Sequence, residues 1–195
     1  MDTARELFLQ KGFEATSIAE ILRESGVNSG SLYYFFKTKE ELLLAVLDWY
    51  VANLYREVID PAVAQTKDAI GRVFAVLDGY REYLTITEFR QGCPIGNLAL
   101  EMSEKSEAVR EKVVLNFENW RKAIRQLLFD AGDLLPADVD RDALATFVLG
   151  VMEGGVMLSR TYRSLAPFQA SIAMLRAHFD RLAAEANSTR NRTDC

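Results

Sequence analysis

Residues 16–42 read TSIAEILRESGVNSGSLYYFFKTKEEL, and this stretch decides the fold. Ser17 is placed to cap a short helix, because Glu20 follows three residues later and completes a capping box. Gly26 supplies the left-handed backbone that ends such a helix and redirects the chain. Asn28 is a preferred N-cap and starts a second helix. The pattern therefore predicts two short helices joined by a tight turn.

The second helix has two different faces. Its large apolar side chains recur at helical spacing and are predicted to face inward: Leu32, Phe35 and Phe36. A second set is left facing outward: Asn28, Ser29, Ser31, Tyr33 and Tyr34. A bracing helix followed by one with a short polar outer face is typical of a helix-turn-helix, whose second helix reads the major groove. The alternative is a corner of a small helical bundle that carries aromatic residues.

The extended motif resembles the DNA-binding domain of the tetracycline-repressor (TetR) family of bacterial regulators. The run GVNSGSLYYFFKTKEEL at residues 26–42 matches that family's usual Gly-Val-Ser-x-Gly-x-Leu-Tyr-x-Tyr-Phe-x-x-Lys-Glu-x-Leu almost position for position. The resemblance implies a ligand-responsive cytoplasmic repressor that leaves a palindromic operator when a small molecule binds. Two positions depart from the family, since Ser29 stands where Lys is frequent and Tyr34 where His is frequent. The first helix is also short and has no basic arm, so either the arm is absent or the true start lies upstream of Met1.

The charge balance is unusual for a DNA-binding protein. The net charge is -5, with 28 acidic and 23 basic residues, whereas nucleic-acid binders are commonly basic. The positions of the basic residues matter more than the net charge. Lys37 and Lys39 directly follow the second helix of the motif, which we call the reading helix, and DNA phosphates are expected there. The helix start near Ser17 adds the positive end of a helix dipole. The predicted partner is double-stranded DNA, contacted by Ser17, Asn28, Ser29, Ser31, Tyr33, Tyr34, Lys37 and Lys39.

The remainder of the chain shows helical periodicity and no strand-like alternation. A linking helix is predicted from about residue 40 to residue 60, and five more at 68–85, 95–103, 106–131, 138–162 and 167–186. The predicted fold is all-α, with a three-helix helix-turn-helix head joined to a larger helical ligand-binding and dimerisation domain. The predicted boundaries are 1–45 for the head, 46–186 for the body and 187–195 for a disordered tail.

One body helix is apolar on nearly every side, reading ALATFVLGVMEGGVML at residues 143–158. It is either the central core helix of one subunit or a helix that also meets a partner subunit. The family resemblance favours the second interpretation, because the last two helices pair across a homodimer there. The predicted interface consists of Gly150, Gly154, Leu158, Ile172, Leu175 and Phe179.

The segment GCPIGNLALEMS at residues 92–103 resembles one branch of the family, in which Gly-Cys-x-x-Gly-Asn-Leu opens a helix beside the ligand cavity. In some members of that branch the cysteine senses electrophiles or oxidants. Pro94 suits a first helical position, so Cys93 would lie at a helix start that favours a thiolate. The alternative is that Cys93 only fills core space. The predicted ligand-binding residues are Cys93, Asn97, Tyr80, Phe117, Trp120 and Glu153, each with structural packing or hydrogen bonding as its alternative role.

Other functions find little support in the sequence. His178 is the only histidine, and neither a phosphate-binding glycine loop nor a nucleophile elbow is present, so no enzyme, metal or cofactor is predicted. Cys93 and Cys195 do not form a disulfide framework. No segment is predicted to span a membrane. The competing hypothesis is an all-helical ligand-binding or interaction protein whose shortened head does not bind DNA.

Overall fold

A computed structural model describes residues 1–193, and every regular element in that range is helical, as predicted. The helices are α1 (Asp2–Lys11), α2 (Ile18–Ser25), α3 (Ser29–Phe35), α4 (Lys39–Leu54), α5 (Asp60–Val63), α6 (Ala69–Ile86), α7 (Pro94–Met102), α8 (Glu107–Asp130), α9 (Arg141–Tyr162) and α10 (Ala166–Thr193). A π-helical stretch, Tyr55–Ile59, connects α4 to α5, and a 3₁₀ turn, Gly132–Leu134, follows α8.

The chain forms two compact units whose boundary differs from the predicted division after residue 45. The first unit contains residues 1–53 and 90–118, and the second contains 54–89 and the chain from 119 onward. The short helix α7 and the first half of α8 therefore belong with the head and not with the body.

Polar contacts explain why α8 begins in the first unit. The hydroxyl of Ser106, just before α8, donates to Glu40 at 2.8 Å. The side-chain amide of Asn116 donates to the carbonyl of Leu47 at 3.1 Å and is buried. Both partners lie on α4. A buried amide hydrogen bond of this kind fixes the register of two packed helices, because a shift would leave polar groups unsatisfied.

An apolar core holds the helices of the first unit together. Its buried members are Ala4, Leu7, Phe8, Phe13, Ile21, Leu42, Leu43, Val46 and Leu47. Thr16 is fully buried among them and donates its hydroxyl to the carbonyl of Gly12 at 2.8 Å. The core therefore fixes the turn between α1 and α2 as well as the helices.

The second unit is built mainly from α6, α9 and α10. Its buried side chains include Val73, Phe74, Leu77, Leu84, Ile124, Leu128, Leu144, Val148, Met152, Val156, Phe168, Leu175 and Phe179. A Cβ at Gly155 would lie 2.9 Å from the ring of Phe168, so only glycine admits the start of α10 this close to α9. The backbone amide of Phe168 also donates to the buried hydroxyl of Ser159 at 3.0 Å.

The C-terminal region departs from its predicted description. Residues 187–193 continue α10 in the structure, where the sequence predicted a disordered tail from residue 187 onward. The last two residues, including Cys195, lie outside the described part of the chain.

By length and composition alone, α9 meets the criteria for crossing a membrane, with a mean hydropathy of 1.4 over 18 residues. The sequence prediction was that no stretch is long and apolar enough to span a membrane, and α9 contradicts it on these two criteria. The helix packs on α10, and buried side chains such as Val148 and Met152 account for part of its apolar content. A core helix of a globular domain passes the same test.

Ion pairs at the start of α9 give stability a defined pH dependence. Hydrogen bonds from the guanidinium groups of Arg125 and Arg121 hold the pKa of the Asp142 carboxyl below its ordinary value. A lowered folded-state pKa stabilises the protein above the unfolded-state pKa, and this contribution disappears as the pH falls through the folded value. We expect Asp142→Asn to lower the urea midpoint modestly at pH 7, with a difference from wild type that is smaller at pH 3 than at pH 7. Asp138→Asn, an exposed control, should leave the midpoint unchanged at both pH values, and a pH-independent effect of Asp142→Asn would contradict this account.

Candidate nucleic-acid interface

The turn between α2 and α3 is built as the sequence predicts. The hydroxyl of Ser17 accepts the backbone N–H of Glu20 at 3.1 Å and caps α2. Gly26 has φ 67° and ends the helix in the left-handed conformation. The side chain of Asn28 accepts the N–H of Ser31 at 2.8 Å and caps α3. These three local devices fix the direction of α3 relative to α2.

The outer surface of α3 is polar and aromatic and carries no charge. Its sequence from Ser29 to Phe35 contains neither an acid nor a base. Six of the seven residues are exposed, and the seventh, Leu32, is half-buried. Tyr34 is 75% exposed. The outward placement predicted for Asn28, Ser29, Ser31, Tyr33 and Tyr34 agrees with these exposures.

The prediction for Phe35 was wrong. Its ring is 72% exposed and lies edge-to-face against Tyr34, with 5.0 Å between ring centroids. The inner face of α3 is formed by Leu32 and Phe36, which are four residues apart and half-buried. Phe35 is the last residue of the helix, so no further turn of α3 follows to cover its ring. An apolar ring is therefore presented next to the predicted DNA contacts.

The two lysines that follow α3 have different environments. Lys37 is exposed, and its ammonium group donates to the carbonyl of Tyr33 at 2.8 Å, at the C-terminal end of α3. Lys39 is half-buried and donates to the carbonyls of Phe13 at 2.9 Å and Thr16 at 3.0 Å. Its ammonium also lies 4.1 Å from the Phe13 ring centroid. Lys39 thus holds the α1–α2 turn, which argues against the phosphate contact predicted for it.

Basic partners neutralise acids on the bracing helix. Glu20 pairs with Lys11, and hydrogen bonding to that ammonium group holds the pKa of Glu20 below its ordinary value. Arg23 pairs with Glu24 at 3.0 Å. These pairs reduce the repulsion that the acids of α2 would otherwise exert on a nearby phosphate.

The residues predicted to bind a ligand are divided between the two units. In the second unit, the indole N–H of buried Trp120 donates to the hydroxyl of Tyr80 at 3.0 Å. Glu153 lies on α9, half-buried, with one carboxylate oxygen buried. In the first unit, Cys93 is 8% exposed and caps α7, its sulfur accepting the N–H of Gly96 at 3.5 Å. The half-buried Asn97 and Phe117 lie on α7 and α8.

The predicted dimer residues also separate into two groups. Leu175 and Phe179 are each 1% exposed within the single chain, so their side chains already belong to the core of the subunit. Gly150 and Gly154 face open space, with no atom within 4 Å of an added Cβ. Leu158 is 41% exposed and Ile172 is half-buried. Other large apolar side chains exposed on α9 and α10 are Phe147, Met157, Tyr162 and Met174.

Sequence reasoning missed Glu101, which touches the head from α7. Its carboxylate accepts the backbone N–H groups of Phe13 and Glu14. The contact joins residues 88 positions apart. No spacing rule predicts such a contact, and the only local signal is Gly12, whose φ of 87° and missing side chain leave room for the carboxylate.

The geometry defines a helix-turn-helix DNA-binding head attached to a helical body. Residues 1–46 match the family described as bacterial regulatory proteins of the TetR family. Residues 69–174 match the family described as the C-terminal domain of LmrA/YxaF-like transcriptional regulators. The chain belongs to the TetR family of bacterial transcriptional regulators.

Individual relatives agree with this assignment. The chain is 30% identical over 168 residues to the uncharacterized regulator YxaF of Bacillus subtilis, covering 86% of each protein. Its fold is similar to regulatory protein TetR from Rhodobacter sphaeroides, with a TM-score of 0.83, 26% identity and coverage of 91% and 95%. It is also similar to a cysteine mutant of the TetR-family regulator CifR, with a TM-score of 0.76, 26% identity and coverage of 91% and 95%. That mutant was solved in complex with a 26-bp double-strand operator DNA.

Proposed function

We propose that this protein is a cytoplasmic repressor that binds a palindromic operator as a homodimer and is released by a small molecule or by modification of Cys93. The observation that carries the proposal is the outer face of α3. Capped by Asn28 and neutral along its length, this face presents hydroxyl, amide and aromatic groups to solvent. Such groups read base edges and thymine methyls in the major groove.

Backbone amides and one lysine are the proposed phosphate contacts. The start of α2 at Ser17 offers helix-terminal N–H groups, and Lys37 offers an exposed ammonium group. The proposed base contacts are Asn28, Ser29, Ser31, Tyr33 and Tyr34, and we add Phe35 to the proposal because its ring is exposed beside Tyr34. The operator complex of the CifR mutant, which shares this fold, supports DNA as the partner.

A second copy of the chain is the proposed partner of the exposed apolar side of α9 and α10. Two-fold pairing there would bury Gly150, Gly154 and Leu158 against the same surface of the partner. A dimer would bring two reading helices to half-sites about one helical turn, roughly 34–36 Å, apart, or somewhat more.

The ligand proposal rests on polar groups in apolar surroundings. In the second unit, Trp120 and Tyr80 form a buried hydrogen-bonded pair, and Glu153 places a carboxylate on the apolar helix α9. An inducer must bind the DNA-incompetent arrangement better than the DNA-competent one, because equal affinities would leave the equilibrium between the two arrangements unchanged. The expected coupling free energy between inducer binding and operator binding is about 1–3 kcal/mol.

Selection of bound sequences from a random duplex pool tests the proposal directly. We expect an enriched sequence with two inverted half-sites, and a gel shift with that duplex that a scrambled duplex does not give. No enrichment above the input pool would contradict the proposal. It would favour the competing hypothesis of a helical ligand-binding protein without DNA affinity.

The role of Cys93 can be tested separately by alkylation. Because an amide N–H points at its sulfur from the start of α7, we expect a thiol-alkylating reagent to release the operator from wild type. Release should persist in Cys195→Ser and disappear in Cys93→Ser. If the reagent also releases the operator from Cys93→Ser, or does not release it from wild type, then the buried Cys93 thiol is a packing residue. The inducer would then be a small molecule that binds reversibly.

A further inference from the structure

The turn between α1 and α2 is held by a single carboxylate from α7, a helix far away in the sequence. Glu101 lies in the last turn of α7, where its Oε2 accepts the N–H of Phe13 at 2.9 Å and its Oε1 accepts the N–H of Glu14 at 2.8 Å. Two adjacent amides therefore bind the two oxygens of one anion. Hydrogen bonds to an ionised acceptor are about twice as strong as neutral ones.

Gly12 makes this approach possible. A Cβ at this position would lie 2.9 Å and 3.0 Å from the two oxygens of Glu101, closer than a side chain tolerates. The φ of 87° is also one that residues with side chains rarely adopt. The glycine thus serves both the backbone conformation and the contact with Glu101.

The opposite side of the same turn is bound by a cation. Lys39, the first residue of α4, donates to the carbonyls of Phe13 and Thr16. The N–H groups of the turn thus bind an anion from α7, and its C=O groups bind a cation from α4. Because the turn leads directly into α2, this double attachment fixes where α2 and the reading helix α3 stand on the rest of the first unit.

The helix that carries Glu101 has Cys93 at its other end. Eight residues separate the two positions, which corresponds to about 12 Å of α-helix. The two residues therefore lie at opposite ends of one short helix. The salt bridge from Lys105 to Glu14, at 3.0 Å, adds a second and more exposed link to the same turn.

We infer that Glu101 is a positioning residue for DNA reading: its carboxylate fixes the α2–α3 pair on α7 and thereby sets where each reading helix meets the operator. The inference rests on the proposed function. Without the contact, a subunit keeps an intact reading helix whose placement varies. Binding of one half-site is then preserved, whereas simultaneous binding of two half-sites at fixed spacing is weakened.

Two variants of Glu101 and a matched control test this. Glu101→Asp keeps the charge but is one methylene too short to reach both amides, and Glu101→Gln keeps the length but loses the charge. Glu104→Gln, an exposed neighbour, removes the same charge without touching the turn. Affinity is measured by fluorescence anisotropy on two duplexes: the full site selected by wild type, and the same DNA with one half-site scrambled. Hydrogen exchange at the amides of Phe13 and Glu14 reports the contact itself.

We expect both Glu101 variants to bind the full site about tenfold more weakly and the half-site within twofold of wild type. Amide exchange at Phe13 and Glu14 should quicken, and Glu104→Gln should match wild type or bind slightly better. Unchanged full-site affinity, or unchanged exchange, would overturn the inference. Equal weakening on both duplexes would also overturn it, because Glu101 would then support the folding of the head and not its placement. Wild-type protein that binds neither duplex would instead refute the proposed function, and the inference with it.

Discussion

Replacing Gly154 by leucine is expected to separate the proposed dimer into folded monomers. An added Cβ at this position meets no atom within 4 Å in the single chain, so the subunit accepts the side chain. Removing a helical glycine also stabilises α9 by up to about 1 kcal/mol. Across a two-fold interface the leucine enters twice, and overpacking at about 1–3 kcal/mol per copy should raise the dimer dissociation constant by at least roughly 30-fold.

Analytical ultracentrifugation at micromolar concentration measures this effect, and Gly79→Leu is the matched control. Gly79 is also a helical glycine that faces open space, but it lies on α6, outside the proposed interface. The control should sediment as wild type. A wild-type protein that is monomeric at these concentrations would refute the interface, and Gly150→Leu should repeat the result for Gly154 if the interface is correct.

Replacing Tyr34 by alanine should weaken operator binding by about 1–3 kcal/mol and change which base is preferred at one position of each half-site. The ring is the most exposed large side chain of α3, so its loss costs contacts in the complex and little in the free protein. Lys37→Ala should act differently, weakening binding to all sequences and lowering the salt slope by about one per subunit.

Binding of wild type and variants to the selected duplex and its point-substituted forms, across a salt series, distinguishes the two effects. Lys122→Ala, which removes an exposed charge from α8, controls for net charge. If Tyr34→Ala and Lys37→Ala both leave operator affinity unchanged, α3 is not the reading helix.

The parts of the head that could be predicted are those determined by local chemistry. Ser17, Gly26 and Asn28 act on backbone groups three or four residues away, so their spacing in the sequence is sufficient to place them. The outward face of α3 could also be predicted, because the Asn28 cap fixes the residue at which the helix begins. Predictions of this kind need no knowledge of the tertiary fold.

The parts that could not be predicted depend on contacts between distant segments. Lys39 has the sequence signature of a solvated phosphate contact, yet the carbonyls that it binds lie 26 and 23 residues away. Phe35 is ambiguous because helical periodicity is undefined at the last residue of a seven-residue helix. The spacing of Leu175 and Phe179 fits an apolar stripe in either a core or an interface. The packing of α10 on α9 and α6 places both side chains inside the subunit.

The neutral surface of α3 has a consequence for how a target site would be found. Proteins that slide along DNA are retained by phosphate attraction, which grows with the number of counterions released. A reading helix without charge, on a chain with net charge -5, offers little of that attraction. We therefore expect short residence on arbitrary sequences and an association rate that depends weakly on the length of flanking DNA. Such a protein would reach its operator mainly by repeated collisions from solution, and nearly all unbound copies would remain free to meet an inducer.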